Sequence, residues 1–255
     1  MDGWHDGPMP PAARLRHRVR QELDLRAGRL PRVAQPFSRP TFSQTGEDSV
    51  VAFLFGELRM PKPSYLDIGA YHPFELSNTA AFYAAGSRGI NVEPDPASYR
   101  LFTEHRLGDV NLNVGCSDVA GHLTFYTMSV PTLSTFSRAS AEEAIRASNG
   151  RLLITATSKV PVRTVADILA REGGGRCPDF LSLDVEGLDL AILRSLPDWP
   201  STPTVICVET ITYSETGRGQ KIDEIAQVLD EHGYMQFADT YINSIFVIRD
   251  RWADH

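Results

Sequence analysis

Acidic residues follow two apolar segments of this chain in a pattern that could bind a nucleoside. The first segment is residues 65–71, YLDIGAY, in which Asp67 and Gly69 form an Asp-x-Gly turn. The second is residues 91–94, NVEP, where Glu93 closes a mostly apolar run. A carboxylate at a strand tip can accept both hydroxyl groups of a ribose, and glycine permits a tight turn beside it. These two segments predict one part of a nucleoside site.

The turn after Gly69 lacks the signature of a phosphate-binding loop. Dinucleotide folds place the pyrophosphate on a G-x-G-x-x-G turn, whereas residues 70–73 are AYHP, which are too bulky for close approach to the backbone. The expected ligand is therefore a nucleoside without phosphates, and S-adenosyl-L-methionine is the commonest such cofactor. The same pattern argues against a nicotinamide oxidoreductase.

Three further acids follow later apolar segments. Asp184 and Glu186 lie in residues 183–187, LDVEG, and Glu209 ends residues 204–209, TVICVE. They could hold a divalent cation such as Mg²⁺ through oxygen ligands, or one of them could remove a hydroxyl proton as a general base. Alternatively, these acids could stabilise the positive sulfonium of the cofactor, bind the hydroxyl groups of a sugar, or cap the helix that follows.

Three other residues near these segments have both a functional and a structural interpretation. Asp67 could contact the methionine end of the cofactor or cap the turn that follows it. Asp118 ends residues 115–118, GCSD, where an adenine amino group could be bound, but aspartate is also common in turns for backbone reasons. His72 follows the Asp-x-Gly turn and is either a catalytic base or an ordinary loop residue.

Composition limits the class of protein. The 255 residues are 42% hydrophobic, which is enough for one large α/β domain, and the net charge of -7 argues against nucleic-acid or anionic-membrane binding. No run approaches the roughly 18 apolar residues of a membrane span. The three cysteines are widely spaced without a CxxC pair, which fits a reducing cytoplasm and disfavours zinc or disulfide frameworks.

Alternating strand and helix patterns must position these residues. Residues 47–114 indicate one helix before three short strands and one helix in each interval between them, the first of these two over residues 75–85. Ser43 or Thr45 could cap the helix that precedes the strands. Residues 122–127 and 152–162 alternate like strands around a short helix, which predicts an insertion at about residues 120–162. The end of the chain indicates an antiparallel hairpin. The pattern predicts an α/β doubly wound sheet that is mostly parallel.

The first forty residues differ from the rest. They are basic and end in a proline-rich linker, so we expect an arm over residues 1–40 and one domain over residues 41–255. The arm could be frayed, could support a homo-oligomer, or could cover the active site. Its arginines include Arg14, Arg16, Arg18, Arg20, Arg26, Arg29 and Arg32.

Several motifs in this order resemble the FkbM family of S-adenosylmethionine-dependent methyltransferases. The resemblance covers roughly residues 42–249. It implies a class I methyltransferase fold, Rossmann-like, and typically O-methylation of hydroxyl groups on sugars, polyketide natural products or surface glycans. The motifs are SQTGED (43–48), LDIGA (66–70), VEP (92–94), DVEG (184–187), and Asn243 with Phe246.

The resemblance also implies roles for individual residues. Gln44 and Glu47 would contact the cofactor, Asp67 and Gly69 would shape the turn, and Glu93 would hold the ribose. Asp184 and Glu209 would face the acceptor hydroxyl for in-line SN2 transfer, and the insertion would help to form the acceptor pocket. Magnesium-using relatives carry two adjacent metal-binding side chains after the later strand, whereas Glu209 is followed by Thr210. Metal use therefore stays open.

Two other functions remain in view. One is a non-catalytic domain that binds S-adenosylmethionine and regulates a partner. Loss of the acids on the substrate side, Asp184 and Glu209, would favour this interpretation. The other is methylation of nitrogen or a carboxylate on the same fold. Nitrogen methyltransferases often carry Asn/Asp-Pro-Pro-Tyr where this chain has residues 184–187, DVEG.

Overall fold

The chain divides into two units, Met1–Pro40 and Thr41–His255. The computed structural model describes residues 40–212 and 219–253, so the predicted arm lies outside the described residues. The described helices are α1 (Glu47–Glu57), α2 (Ala80–Ala84), α3 (Pro96–His105), α4 (Arg138–Ala147), α5 (Val165–Arg171), α6 (Asp189–Arg194), α7 (Asp223–Glu231) and α8 (Arg249–Ala253). The described strands are β1 (Tyr65–Ile68), β2 (Gly89–Val92), β3 (Val110–Leu112), β4 (Gly115–Cys116), β5 (Gly121–Met128), β6 (Ile154–Arg163), β7 (Phe180–Leu183), β8 (Val205–Glu209), β9 (Tyr234–Asp239) and β10 (Asn243–Ile248).

Seven strands form the large sheet in the order β3-β2-β1-β7-β8-β10-β9. The first five are parallel, and β10 runs antiparallel to both β8 and β9. The order of strands reverses between β1 and β7, which is where open α/β sheets bind ligands beyond their carboxyl ends. This arrangement confirms the predicted doubly wound sheet with a C-terminal antiparallel hairpin.

Apolar side chains cover both faces of the large sheet. Leu66 and Ile68 pack with α5, α6 and α7 on one face, while Tyr65 packs with α1 on the other. The faces alternate because successive side chains of a strand point to opposite sides. Full burial of such a side chain contributes about 1.5–3 kcal/mol. The central strands are therefore held rigidly, and so are the residues at their carboxyl ends.

A second sheet of three strands, the small sheet, has the order β4-β6-β5. Strand β6 pairs antiparallel to β5 and parallel to β4. Helix α4 packs on it through a small apolar cluster of Met128, Ala141, Ala144 and Leu152. The strand patterns seen in the sequence at residues 122–127 and 152–162 correspond to β5 and β6.

Two local predictions were wrong. The helix expected over residues 75–85 begins only at Ala80, because Leu76 adopts a φ of 52° and the Ser77 hydroxyl accepts the Ala80 N–H at 3.2 Å. Helix α1 begins after Gly46, whose φ is 95°, so neither Ser43 nor Thr45 occupies the N-cap position. In the first place, a local bond from a side chain to the backbone precedes the helix. In the second, Glu47 and Asp48 occupy the first turn of α1, and only the capping residue differs from the prediction.

Candidate active site

A cavity of about 740 Å³ lies at the carboxyl edge of the large sheet. This volume is typical of small-molecule sites. Its walls come from the segments after β1, β2, β7 and β8, from helix α3, and from the small sheet. The residues on the small-sheet side are Phe125, Thr127, Pro131, Thr132, Leu133, Ser134 and Phe136. The acidic residues that line it are Asp67, Glu93, Asp95, Asp184, Glu186 and Glu209.

The Asp-x-Gly turn brings the ends of β1 and β7 together. Gly69 has a φ of 78°, and a Cβ atom placed there would overlap the carbonyl oxygen of Asp184. The Asp184 N–H donates to the Ile68 carbonyl at 3.0 Å, which fixes the neighbouring backbone. Glycine is required here for this close approach, because only glycine combines that φ with no side chain.

Asp67 lines the cavity and is only 3% exposed. Its carboxylate accepts the Thr79 hydroxyl at 2.7 Å, and Arg106 in turn donates to that hydroxyl at 3.0 Å. Arg106 is fully buried and forms an ion pair with Asp109 at 2.9 Å. Burial raises the pKa of Asp67. Arg106, a buried arginine, therefore supports the Asp67 carboxylate through Thr79. The sequence patterns gave no signal for this arginine.

Glu93 also lines the cavity and is 6% exposed. Its two carboxylate oxygens accept the backbone N–H groups of Tyr71 and Asp95, both at 2.7 Å. Burial raises the pKa of Glu93 to about 7. The side chain is thus fixed at the tip of β2, and each oxygen keeps a second lone pair for a ligand.

Asp184, Glu186 and Glu209 converge in the same cavity. One carboxylate oxygen from each residue lies within 4.8 Å of the other two. Burial, together with repulsion from neighbouring carboxylates, raises the pKa of all three groups. Among the described residues, no hydrogen-bond donor contacts the carboxylates of Glu186 and Glu209. The cluster is therefore suited to a proton, to hydroxyl groups or to a cation.

The loop that carries two of these acids is held by Asp189. Its carboxylate accepts the Val185 N–H at 3.0 Å and the Gly187 N–H at 3.1 Å. Glu186 was a candidate for capping the next helix, but the structure gives the loop-binding role to Asp189. Sequence reasoning missed this residue, although an acid in the first turn of a helix is a recognisable signal.

Gln44 lines the cavity, but Glu47 does not. Glu47 is completely buried, and its carboxylate accepts the Asn243 side-chain N–H and the Thr240 hydroxyl, both at 2.9 Å. Glu47 therefore does not reach the cavity itself, whereas Asn243, which donates to it, does line the cavity.

Asp118 and His72 are both hydrogen-bonded to neighbouring residues of the chain. Asp118 is exposed, lies outside the cavity lining, and accepts the Ser117 hydroxyl at 3.0 Å. His72 lines the cavity, but its Nδ1 accepts backbone N–H groups of Phe74 and Glu75 at 3.2 and 2.9 Å. These two bonds occupy Nδ1, so this nitrogen is not available to a ligand in the cavity.

The methyltransferase FkbM domain matches residues 67–235 as a family profile. The chain belongs to the FkbM methyltransferase family. This confirms the family predicted from the motifs and, with it, S-adenosyl-L-methionine as the cofactor. The match covers the turn at Asp67, the tip of β2 and the three clustered acids.

Solved structures with a similar fold include two methyltransferases. The T. thermophilus 16S rRNA N2 G1207 methyltransferase, in complex with AdoMet and guanosine, is 12% identical with a TM-score of 0.40, over 82% of this chain and 44% of that chain. The chain thus spans less than half of that enzyme. The Burkholderia thailandensis 1,6-didemethyltoxoflavin-N1-methyltransferase, with its substrate and S-adenosylhomocysteine, is 13% identical with a TM-score of 0.39, over 97% of this chain and 91% of that chain. No curated protein matches by sequence. Within the described residues, no helix is long and apolar enough to cross a membrane.

Proposed function

We propose that this FkbM-family protein is an O-methyltransferase that acts on a hydroxyl group of a sugar, glycoside or polyketide-type natural product. The observation that supports this most is the convergence of Asp184, Glu186 and Glu209 in the cavity that also contains Glu93. A hydroxyl group is a weak nucleophile until it loses its proton. Once it has lost its own proton, a carboxylate whose pKa is raised is a stronger base than an ordinary carboxylate, so the cluster suits this task.

S-adenosylmethionine, when bound, supplies a methyl group on a positively charged sulfur. Glu93 would accept the ribose hydroxyls, and the turn at Gly69 would keep Asp67 and Asp184 beside the methionine end. For in-line transfer, the cavity would hold the acceptor oxygen against the methyl group, and Glu209 or Asp184 would take the proton of the acceptor hydroxyl as the methyl group leaves the sulfur. Holding the two reactants in this orientation supplies much of the acceleration.

A divalent cation is the second candidate for activating the hydroxyl group. Asp184, Glu186 and Glu209 offer three oxygen ligands of the type that Mg²⁺ prefers, and one oxygen from each lies within 4.8 Å of the others. Such a cation would lower the pKa of the acceptor hydroxyl. Thr210 does not supply a fourth ligand, because it lies outside the cavity lining and its hydroxyl is 2.9 Å from the Ser244 hydroxyl.

Methyl transfer from labelled S-adenosylmethionine to paired acceptors tests the proposal. The panel contains glycosides and polyketide-type alcohols, each with an analogue in which an amine or a carboxylate replaces the hydroxyl group. We expect label on the hydroxyl acceptors. Transfer only to the amines or carboxylates would contradict O-methylation, and S-adenosylhomocysteine binding without any transfer would favour the regulatory alternative.

Chelation separates the two ways of activating the hydroxyl group. Turnover that survives exhaustive treatment with EDTA would support a carboxylate base. Turnover that is lost with EDTA and restored by added Mg²⁺ would support the cation.

A further inference from the structure

The hydroxyl group of Thr135 joins the small sheet to the acid-bearing loop. Its Oγ1 donates to the carbonyl oxygen of Glu186 at 2.6 Å and accepts the Ser137 N–H at 2.9 Å. Thr135 is 2% exposed, and its backbone pairs with Tyr126 at 2.8 and 3.1 Å. The position of this hydroxyl is therefore fixed by the small sheet and not by the loop that it binds.

The loop needs such support because its backbone conformation is unfavourable. Glu186 has a φ of 54°, in the left-handed region that residues with a side chain rarely adopt. Asp189 binds the N–H groups on both sides of Glu186, whereas Thr135 binds the Glu186 carbonyl itself. Without the bond from Thr135, the peptide after Glu186 is held only by the bond from its Gly187 N–H to Asp189. The Glu186 carboxylate would then be placed less firmly relative to Asp184 and Glu209.

The neighbours of Thr135 face the ligand. Ser134 and Phe136 both line the cavity, whereas Thr135 between them does not, as expected for an extended segment whose side chains alternate. A molecule in the cavity would therefore contact the residues that flank Thr135. We propose that Thr135 is a positioning residue that couples the small-sheet wall of the cavity to the placement of Glu186; this rests on the proposed function.

Two substitutions distinguish the hydroxyl group from mere packing. Thr135→Val keeps the shape but removes the donor, and we expect kcat to fall about tenfold while the Kd for S-adenosylhomocysteine stays within about twofold. Thr135→Ser keeps the donor and should stay within about threefold of the wild-type kcat. Thr155→Val is the matched control, because the Thr155 hydroxyl also binds a backbone carbonyl of the small sheet, that of Thr127, but is exposed and away from the loop.

Hydrogen exchange of the ligand-free protein provides a readout that does not need activity. Amides of residues 184–190 should exchange faster in Thr135→Val than in Thr135→Ser. If Thr135→Val does not fold, Thr135→Cys replaces it, since a thiol is a much weaker donor.

The outcomes separate this inference from the proposed function. Unchanged kcat and unchanged exchange in Thr135→Val would overturn the role of Thr135 while leaving O-methylation intact. Equal losses of kcat in the valine and serine variants would also overturn it by showing that only packing matters. A wild-type protein that binds S-adenosylhomocysteine but methylates no hydroxyl acceptor would refute the proposed function, and the exchange measurement would still judge Thr135.

Discussion

Cofactor binding should depend on pH through Glu93. Burial raises the pKa of this carboxyl group to about 7, and only its ionised form can accept two backbone N–H groups and two ribose hydroxyls together. The affinity for S-adenosylhomocysteine should therefore be constant above about pH 7.5. Below pH 7 it should fall by up to about tenfold per pH unit, as expected for the uptake of one proton.

The same carboxyl group costs the ligand-free protein stability at neutral pH. Its folded pKa is raised above the reference value of 4.5, so its contribution is fully present below pH 4.5 and is lost as pH rises through about 7. The difference corresponds to about 3 kcal/mol at 1.36 kcal/mol per pH unit. Glu93→Gln removes this cost but leaves one backbone N–H without its acceptor, which costs about 1–3 kcal/mol. We therefore expect little change in stability at pH 8.

Binding should respond differently, because a hydrogen bond to a charged acceptor contributes about 1.5–3 kcal/mol. Glu93→Gln should weaken S-adenosylhomocysteine binding by roughly 10–100-fold at pH 8 and should abolish the pH dependence. Isothermal titration calorimetry between pH 5.5 and 8.5 measures both effects, and Glu57→Gln on the exposed end of α1 is the control. Wild-type affinity in Glu93→Gln, or a persisting slope with pH, would refute the ribose-binding role.

Three further substitutions test the acids and the turn. Glu209→Gln should lower kcat by about 100-fold or more in the labelled-methyl assay with S-adenosylhomocysteine affinity nearly kept, and unchanged turnover would exclude Glu209 as the base. Gly69→Ala should lower the free energy of unfolding by roughly 3 kcal/mol or more in denaturant titrations, because the added Cβ would overlap the Asp184 carbonyl. Gly56→Ala is the control, since Gly56 faces open space on α1, and it should leave the free energy of unfolding unchanged. Glu47→Ala should lower the free energy of unfolding by about 3 kcal/mol, since Thr240 and Asn243 lose their acceptor. A loss of activity at wild-type stability would instead support a direct contact between Glu47 and the cofactor.

The sequence predicts the large sheet well because its signals are local. Each central strand is a short apolar run, and the amphipathic helices between the strands indicate crossover connections, which make the strands parallel. The position of the acids follows from the same logic: Asp67, Asp184 and Glu209 each end or follow a parallel strand, so they must meet at one edge. That reasoning correctly brings them into one cavity.

The parts that sequence could not predict depend on contacts between distant residues. Glu47 resembles a cofactor ligand by motif, yet its partner Asn243 lies 196 positions away and draws it into the interior. Arg106 carries no motif, and its value as support for Asp67 emerges only when Thr79 is placed between them. His72 is a reasonable base until the turn places two backbone N–H groups on its Nδ1.

The charge arrangement of the site is easier to explain by function than by stability. Asp67, Asp184, Glu186 and Glu209 all have a raised pKa, which means that each favours a proton in the ligand-free protein and disfavours its charged form. Folding alone would therefore select fewer acids at this edge of the sheet. A positively charged sulfonium bound beside them, as proposed, would reverse the preference, because an opposite charge at short range stabilises the ionised form. The acids that oppose folding would then be the groups that favour cofactor binding and take the acceptor's proton.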